Sequence, residues 1–222
     1  MSKKLLVISL LMLLSGCAKQ VPEVVKPDLK LEPQVTLEAE KAGLLDGQWF
    51  LTKGDNRIEL QINSQGKQVV IKEELRDVFT GVQGEVILLK ELREIENNPG
   101  DVLKKASVSS EVQGVYVSLT ASHEEKEGQL KELLTQLINQ QTNQALKKSE
   151  LSSKIVSNGQ QVACYIDEPQ LLEKINQELA KNQQLTESFV IYPEAPNQLT
   201  ETWATDNQIQ RFYTYERENK TK

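Results

Sequence analysis

One histidine, two cysteines and an aromatic content of 5% are a sparse supply of catalytic and metal-binding side chains for 222 residues. That sparsity excludes several chemistries. A histidine-based triad has only His123 to draw on, and this residue stands among Glu124, Glu125 and Glu127 at an expected helix start, where carboxylates complement the amino-terminal dipole. A zinc site needs three or four His, Cys or carboxylate ligands, and one His with one remote Cys has no such spacing. Neither Gly-x-Ser-x-Gly nor a phosphate-cradling glycine loop is present. Ser64-Gln65-Gly66-Lys67 has Ser-x-x-Lys spacing but falls in a turn between two strand-like segments, whereas a nucleophile of that form must open a helix. No calcium-binding loop pattern occurs. The expectation is therefore a protein without cofactor, metal or catalytic grouping. Basic clusters are missing as well. With 26 Lys and Arg against 32 Asp and Glu, the net charge is −6, which argues against nucleic acid and against docking on an anionic lipid leaflet.

What the chain does have is concentrated at its start. Lys3 and Lys4 precede the apolar run Leu5 to Leu14, and Ser15, Gly16 and Cys17 follow it. A basic n-region, a short apolar h-region and small residues before a cut are the three parts of an export signal, and the run is shorter than the roughly 20 residues of a spanning helix. Leu14-Ser15-Gly16-Cys17 in this position resembles the lipobox of bacterial lipoproteins. The resemblance implies cleavage after Gly16, a diacylglyceryl group and an amino-terminal acyl chain such as palmitate on Cys17, and attachment to membrane through that lipid. Several acyl chains on one residue hold a protein stably, since each buried methylene contributes about 0.8 kcal/mol. Ala18 and Lys19, where an Asp would retain a Gram-negative lipoprotein in the inner membrane, imply the outer membrane, facing the periplasm. Removal of residues 1–16 takes away Lys3 and Lys4 and no acid, so the net charge falls from −6 to −8.

Three regions follow: the signal 1–16, a lipidated start and tether 17–35, and a globular domain 36–222. Pro22, Pro27 and Pro33 punctuate the tether, which favours extended backbone; about 3.1 Å per residue lets fifteen residues reach roughly 45 Å. Cys164 is left alone once Cys17 carries lipid. Its place in Gln161 to Ile166, in phase with Val162 and Ile166, makes it a buried strand residue.

The domain reads as α+β, an antiparallel and strand-rich body, barrel-like in one arrangement, with two amphipathic helices. A short helix is expected over Thr36 to Gly43. Ile58, Leu60 and Ile62 alternate with Arg57, Glu59 and Gln61, the pattern of a half-buried strand, and Val86 to Leu89, Val115 to Leu119, Val162 to Ile166, Phe189 to Tyr192, Leu199 to Ala204 and Ile209 to Tyr215 continue it. The first helix is predicted from His123 to Lys148, opened by Ser122-x-x-Glu125 as a capping box, with Asn139 to Gln144 fraying or facing a partner. The second runs from Glu168 to Lys181, with Asp167 as its cap and Pro169 in its first turn.

Gly47-Gln48-Trp49, after a short helix, resembles the Gly-x-Trp opening of lipocalins. The resemblance implies a barrel holding one small apolar ligand and an arginine of the last strand packed on Trp49; Arg211 is the matching residue. The function expected is a non-catalytic accessory or protein-binding lipoprotein of the envelope, with an envelope protein as partner. The alternative is a lipocalin-like carrier of a small apolar ligand.

Overall fold

The computed structural model describes residues 24, 26–27, 45–53, 56–96, 104–122, 127–181, 185–191, 195–205 and 208–217. Cys17, the expected helix at 36–43, and His123 lie outside the described residues. Among the described residues, ten strands and three helices follow in order: β1 Gly47–Lys53, β2 Asn56–Asn63, β3 Gln68–Phe79, β4 Val82–Glu96, β5 Lys104–Ala121, α1 Glu127–Gln141, α2 Lys148–Ser152, β6 Ile155–Ser157, β7 Gln161–Ile166, α3 Pro169–Lys181, β8 Leu185–Ile191, β9 Gln198–Thr205 and β10 Gln208–Arg217.

Every pairing is antiparallel, and eight strands close a barrel in the cycle β1, β2, β3, β4, β5, β8, β9, β10. The fold is thus more strongly β than an α+β description allows. Two long strands make this possible. Leu92–Glu96 of β4 pair with Lys105–Val108 of β5 inside the cycle, and that part of β5 pairs onward with β8. Farther along, Val82–Leu89 pair with Gly114–Ala121, whose other edge carries β7 and then β6. Register shifts at Leu89/Lys90, Lys90/Leu92 and Leu92/Glu94 divide the two parts. Such bulges bend a strand and increase its twist, so one strand serves both a closed barrel and an open sheet. At the β3–β4 turn, Gly81 has φ +76°, a conformation that side chains with a Cβ rarely adopt.

The open sheet is covered on one face by the helices. α1 buries Leu130, Leu134 and Ile138, α2 buries Leu151 and α3 buries Ile175, all in one core with Val115, Val117, Leu119, Val162, Cys164 and Ile166. The first helix is shorter than predicted. It stops at Gln141 because Asn143 and Gln144 take left-handed backbone (φ 52° and 58°), and the Asn143 side-chain amide donates to the Glu178 carbonyl of α3. The polar stretch is a turn locked to a neighbouring helix, and the chain then makes α2, which the sequence pattern did not suggest. Ser122 donates its hydroxyl to the Gly81 carbonyl, tying the β3–β4 turn to the end of β5.

Cys164 lies in this core, 1% exposed, and burial pushes its thiol up to about 12. It should resist a thiol reagent in the native protein and react once denaturant is added. Rapid labelling of the native chain would place it at the surface instead.

The opposite face of the open sheet carries a smaller cluster of Val70, Ile87, Tyr116 and Ala163, and Val24 of the tether packs on it. Lys26 pairs with Glu85 at 2.8 Å and sits 5.9 Å from the centre of the Tyr116 ring. At these residues the tether lies against the body, where the proline spacing suggested a freely extended stalk.

Candidate ligand site in the barrel

Cross-strand neighbours share a face of a sheet, so the barrel lining can be followed from strand to strand. Trp49 faces Leu60, Leu60 faces Ile71, Ile62 faces Val69, Ala106 faces Phe189, and Ile191 faces Leu199. These residues form the second core of the protein. The lining is graded along the barrel: Trp49, Leu60, Ile62 and Val69 are at most 2% exposed, whereas Leu51, Ile58 and Ile71, toward the other end of the same strands, are only half-buried.

The buried end is shut by a built plug. Trp49 donates its indole N–H to the Leu45 carbonyl at 2.9 Å, and the Arg217 guanidinium lies 4.3 Å from the ring centre. Arg217 also donates to the Asp46 carbonyl oxygen at 3.3 Å, and the Asp46 carboxylate accepts the Ser64 backbone N–H and hydroxyl at 2.6 and 2.7 Å. Burial holds the Arg217 pKa below the usual guanidinium range, with Asp46 opposing the shift. An arginine of the last strand does pack on Trp49, but it is Arg217, which faces Trp49 directly across β10 and β1. Arg211 pairs with Trp203 six residues away, roughly 20 Å along a strand, too far for a side chain to span. Its side chain is outside the described residues. Ser64 of the Ser-x-x-Lys stretch belongs to the turn after β2, where its hydroxyl serves the plug.

Part of the lining is polar. Glu187 faces Val108 and Trp203, Glu201 faces Phe189 and Tyr213, and Lys90 faces Val69, so all three ionisable side chains share the inner face. Lys90 Nζ donates to Glu187 Oε2 at 2.6 Å, with the two side chains 10% and 5% exposed. Lys90 stands at the bulges of β4, which aim it across β5 toward β8. Glu201 accepts the Tyr215 hydroxyl and the Trp203 indole N–H, each at 2.5 Å. Glu187 also shares a side-chain hydrogen bond with Glu201, which favours the protonated form of Glu201.

Burial, followed by the charge of Glu187, pushes the Glu201 carboxyl up to about 7, and the bonds from Tyr215 and Trp203 only partly offset this. Burial likewise raises the Tyr215 hydroxyl, with Glu201 adding to the effect. The folded protein therefore holds the Glu201 proton more tightly than the unfolded chain does. The resulting stability is complete below about 4.5, the ordinary Glu value, and is lost as pH rises through about 7. Wild type should lose more stability to urea between pH 6 and pH 8 than Glu201→Gln, which has no proton to release. Equal losses in the two proteins would place the Glu201 proton outside this window.

None of these interior ionisable residues was singled out by sequence reasoning. The available signal was phase: Glu187 precedes Phe189 and Ile191 at period two, and Glu201 sits between Leu199 and Trp203, so each acid occupies an inward position. Compared with known proteins, the chain matches no family model, no curated protein and no solved structure.

Proposed function

We propose that this chain is a lipid-anchored envelope protein whose barrel carries a small ligand. The observation that carries the reading is the graded interior. An eight-stranded barrel is just wide enough to be filled by its own side chains or to hold one small ligand. Here one end is sealed by Trp49 and Arg217, apolar side chains farther along the same strands stay half-buried, and a buried ion pair faces the interior. Buried charge is costly to a barrel that serves only as a scaffold, because desolvation offsets the attraction of the pair. The closed barrel and the arginine on Trp49 are also the features that the lipocalin resemblance implies. The protein-docking alternative has less support: the large exposed apolar residues among those described are Phe79 at 57% and Val156 at 46%, one at the end of β3 and the other on β6. Single apolar side chains of this sort are ordinary surface.

Both tryptophans of the chain face the barrel interior, so their emission reports on its contents. Titrating the full chain in detergent with 4-bromobenzyl alcohol, against a blank of micelles with free tryptophan, should give saturable quenching that disappears in denaturant. Quenching that stays linear in the native protein counts against a carrier. The anchor is tested separately: Cys17→Ser should remain an unprocessed precursor without palmitate label, and a variant that still labelled would remove the lipid from the proposal.

A further inference from the structure

The outer face of the open sheet is covered by a part of the chain that does not pair with it. Cross-strand partners trace that face from Lys72 to Ile87 to Tyr116, and alongside from Glu85 to Ser118 to Ala163. An uncovered sheet face meets water, yet Tyr116 is 1% exposed and Ile87 and Ala163 are buried with it. Among the described residues the cover comes from the tether: Val24 packs on this cluster, and Lys26 reaches Glu85 and the Tyr116 ring. Residues 24, 26 and 27 belong to no strand, so no ladder of backbone hydrogen bonds holds them there.

Extended chain puts side chains two residues apart on one side, and Pro27 biases Lys26 toward extended backbone, so Val24 and Lys26 face the sheet together. What they gain is small. Val24 is only half-buried, Lys26 stays 45% exposed, and an ion pair in contact with solvent contributes little. Departure costs little as well: Glu85 Oε2 lies 3.3 Å from Lys72 Nζ, so the acid keeps a cation when Lys26 lifts, and Lys72 is itself bonded to Glu74 at 2.7 Å. No charge is stranded in either arrangement. The surface bared at Ile87 and Tyr116 would be continuous with exposed Val156, which lies across from Ala163.

Independently of what the barrel holds, we propose that the tether is a releasable strap over a docking face. Val24 and Lys26 occupy the face in cis, and when they lift it accepts an extended protein segment of the same chemistry, an aliphatic side chain with a lysine two positions on. The aliphatic group takes the place of Val24 on Ile87 and Tyr116, and the ammonium takes that of Lys26 beside Glu85 and the electron-rich Tyr116 ring. The two segments compete. A partner that docks here therefore frees the tether.

Carbodiimide coupling of the full chain in detergent, read by mass spectrometry, tests this, because the reagent joins an amine to a carboxylate only where the two touch. A Lys26–Glu85 link should form beside a Lys72–Glu85 link, which serves as the internal reference. Val24→Ser, a change outside the body, should cut the first link at least about fivefold against the second, as expected for the loss of half-buried apolar area. An acetylated and amidated peptide of residues 22–27, at about 10 mM, should couple to Glu85 roughly tenfold more often than Lys26 does, since a tethered segment has an effective concentration on the order of 1 mM. That peptide should prefer Glu85, 20% exposed, to Glu111, 62% exposed, and the same peptide with its lysine one place earlier should lose the preference. Absence of the Lys26–Glu85 link, or its indifference to Val24→Ser, overturns the docking of the tether. A link that the peptide cannot outnumber marks a fixed contact and overturns release. Coupling in proportion to exposure, with Glu111 ahead of Glu85, overturns recognition of the segment. Links between isotopically labelled and unlabelled chains would seat a second copy's tether on the face and overturn the cis assignment.

Discussion

Lys90→Met should lower stability by about 3–5 kcal/mol, the range for removing one partner of a buried ion pair. The loss does not come from packing, since methionine fills nearly the same volume. It comes from Glu187, which would keep a buried carboxylate without its cation and with Glu201 beside it. The double variant Lys90→Met with Glu187→Leu should recover most or all of the loss, because an apolar pair in the same space incurs no desolvation of charge. Urea midpoints of the three proteins decide the matter. A loss below about 1 kcal/mol for Lys90→Met is the value of a solvated surface pair and would mean that water reaches this level of the barrel.

Trp49→Ala should cost a similar amount, about 3–5 kcal/mol, as expected when a fully buried large aromatic is cut back to a methyl group. The Arg217 guanidinium would lose the ring beneath it, and the Leu45 carbonyl would lose its indole donor. Trp49→Phe separates these effects. It keeps a ring below Arg217 but not the bond to Leu45, so it should fall between wild type and Trp49→Ala in thermal or urea unfolding. If Trp49→Phe were as damaging as Trp49→Ala, the indole bond would hold the plug and the stacking would contribute little.

Much of the architecture could be read where a strand has one wet face. Ile58, Leu60 and Ile62 alternate because β2 has the core on one side and solvent on the other, and Cys164 shares a phase with Val162 and Ile166 because that face of β7 packs under the helices. The α3 range was also legible, since Pro169 and an apolar stripe mark its start and face. The full extents of β3 and β4 were not. Lys72 to Arg76 and Glu91 to Glu96 are rich in charged residues with little alternation, and their strand state is fixed by pairing with the strands on either side, β2 and β4 for the first and β3 and β5 for the second. Propensity yields to tertiary pairing in such segments. The interior acids were missed for a related reason. Thirty-two acidic residues in one chain hide the few that point inward, and closure of β5 onto β8 is what decides which they are. Trp49 was found because its Gly-x-Trp setting is local. Its arginine was misplaced by six positions because the register of β10 against β1 is not written in either strand alone.

The tether contact has a consequence for how the molecule stands in the cell. Val24 and Lys26 lie on the open sheet. If Cys17 carries the proposed acyl chains, only six residues separate it from Val24, and extended chain covers at most about 25 Å over those seven steps. That is roughly half the reach of a free tether through Pro33. The protein would then behave less like a buoy on a long line than like a boat moored close to the quay. Its sheet face would stay near the bilayer, its rotation would be narrowed, and any molecule leaving the barrel would be released within a few nanometres of the membrane surface.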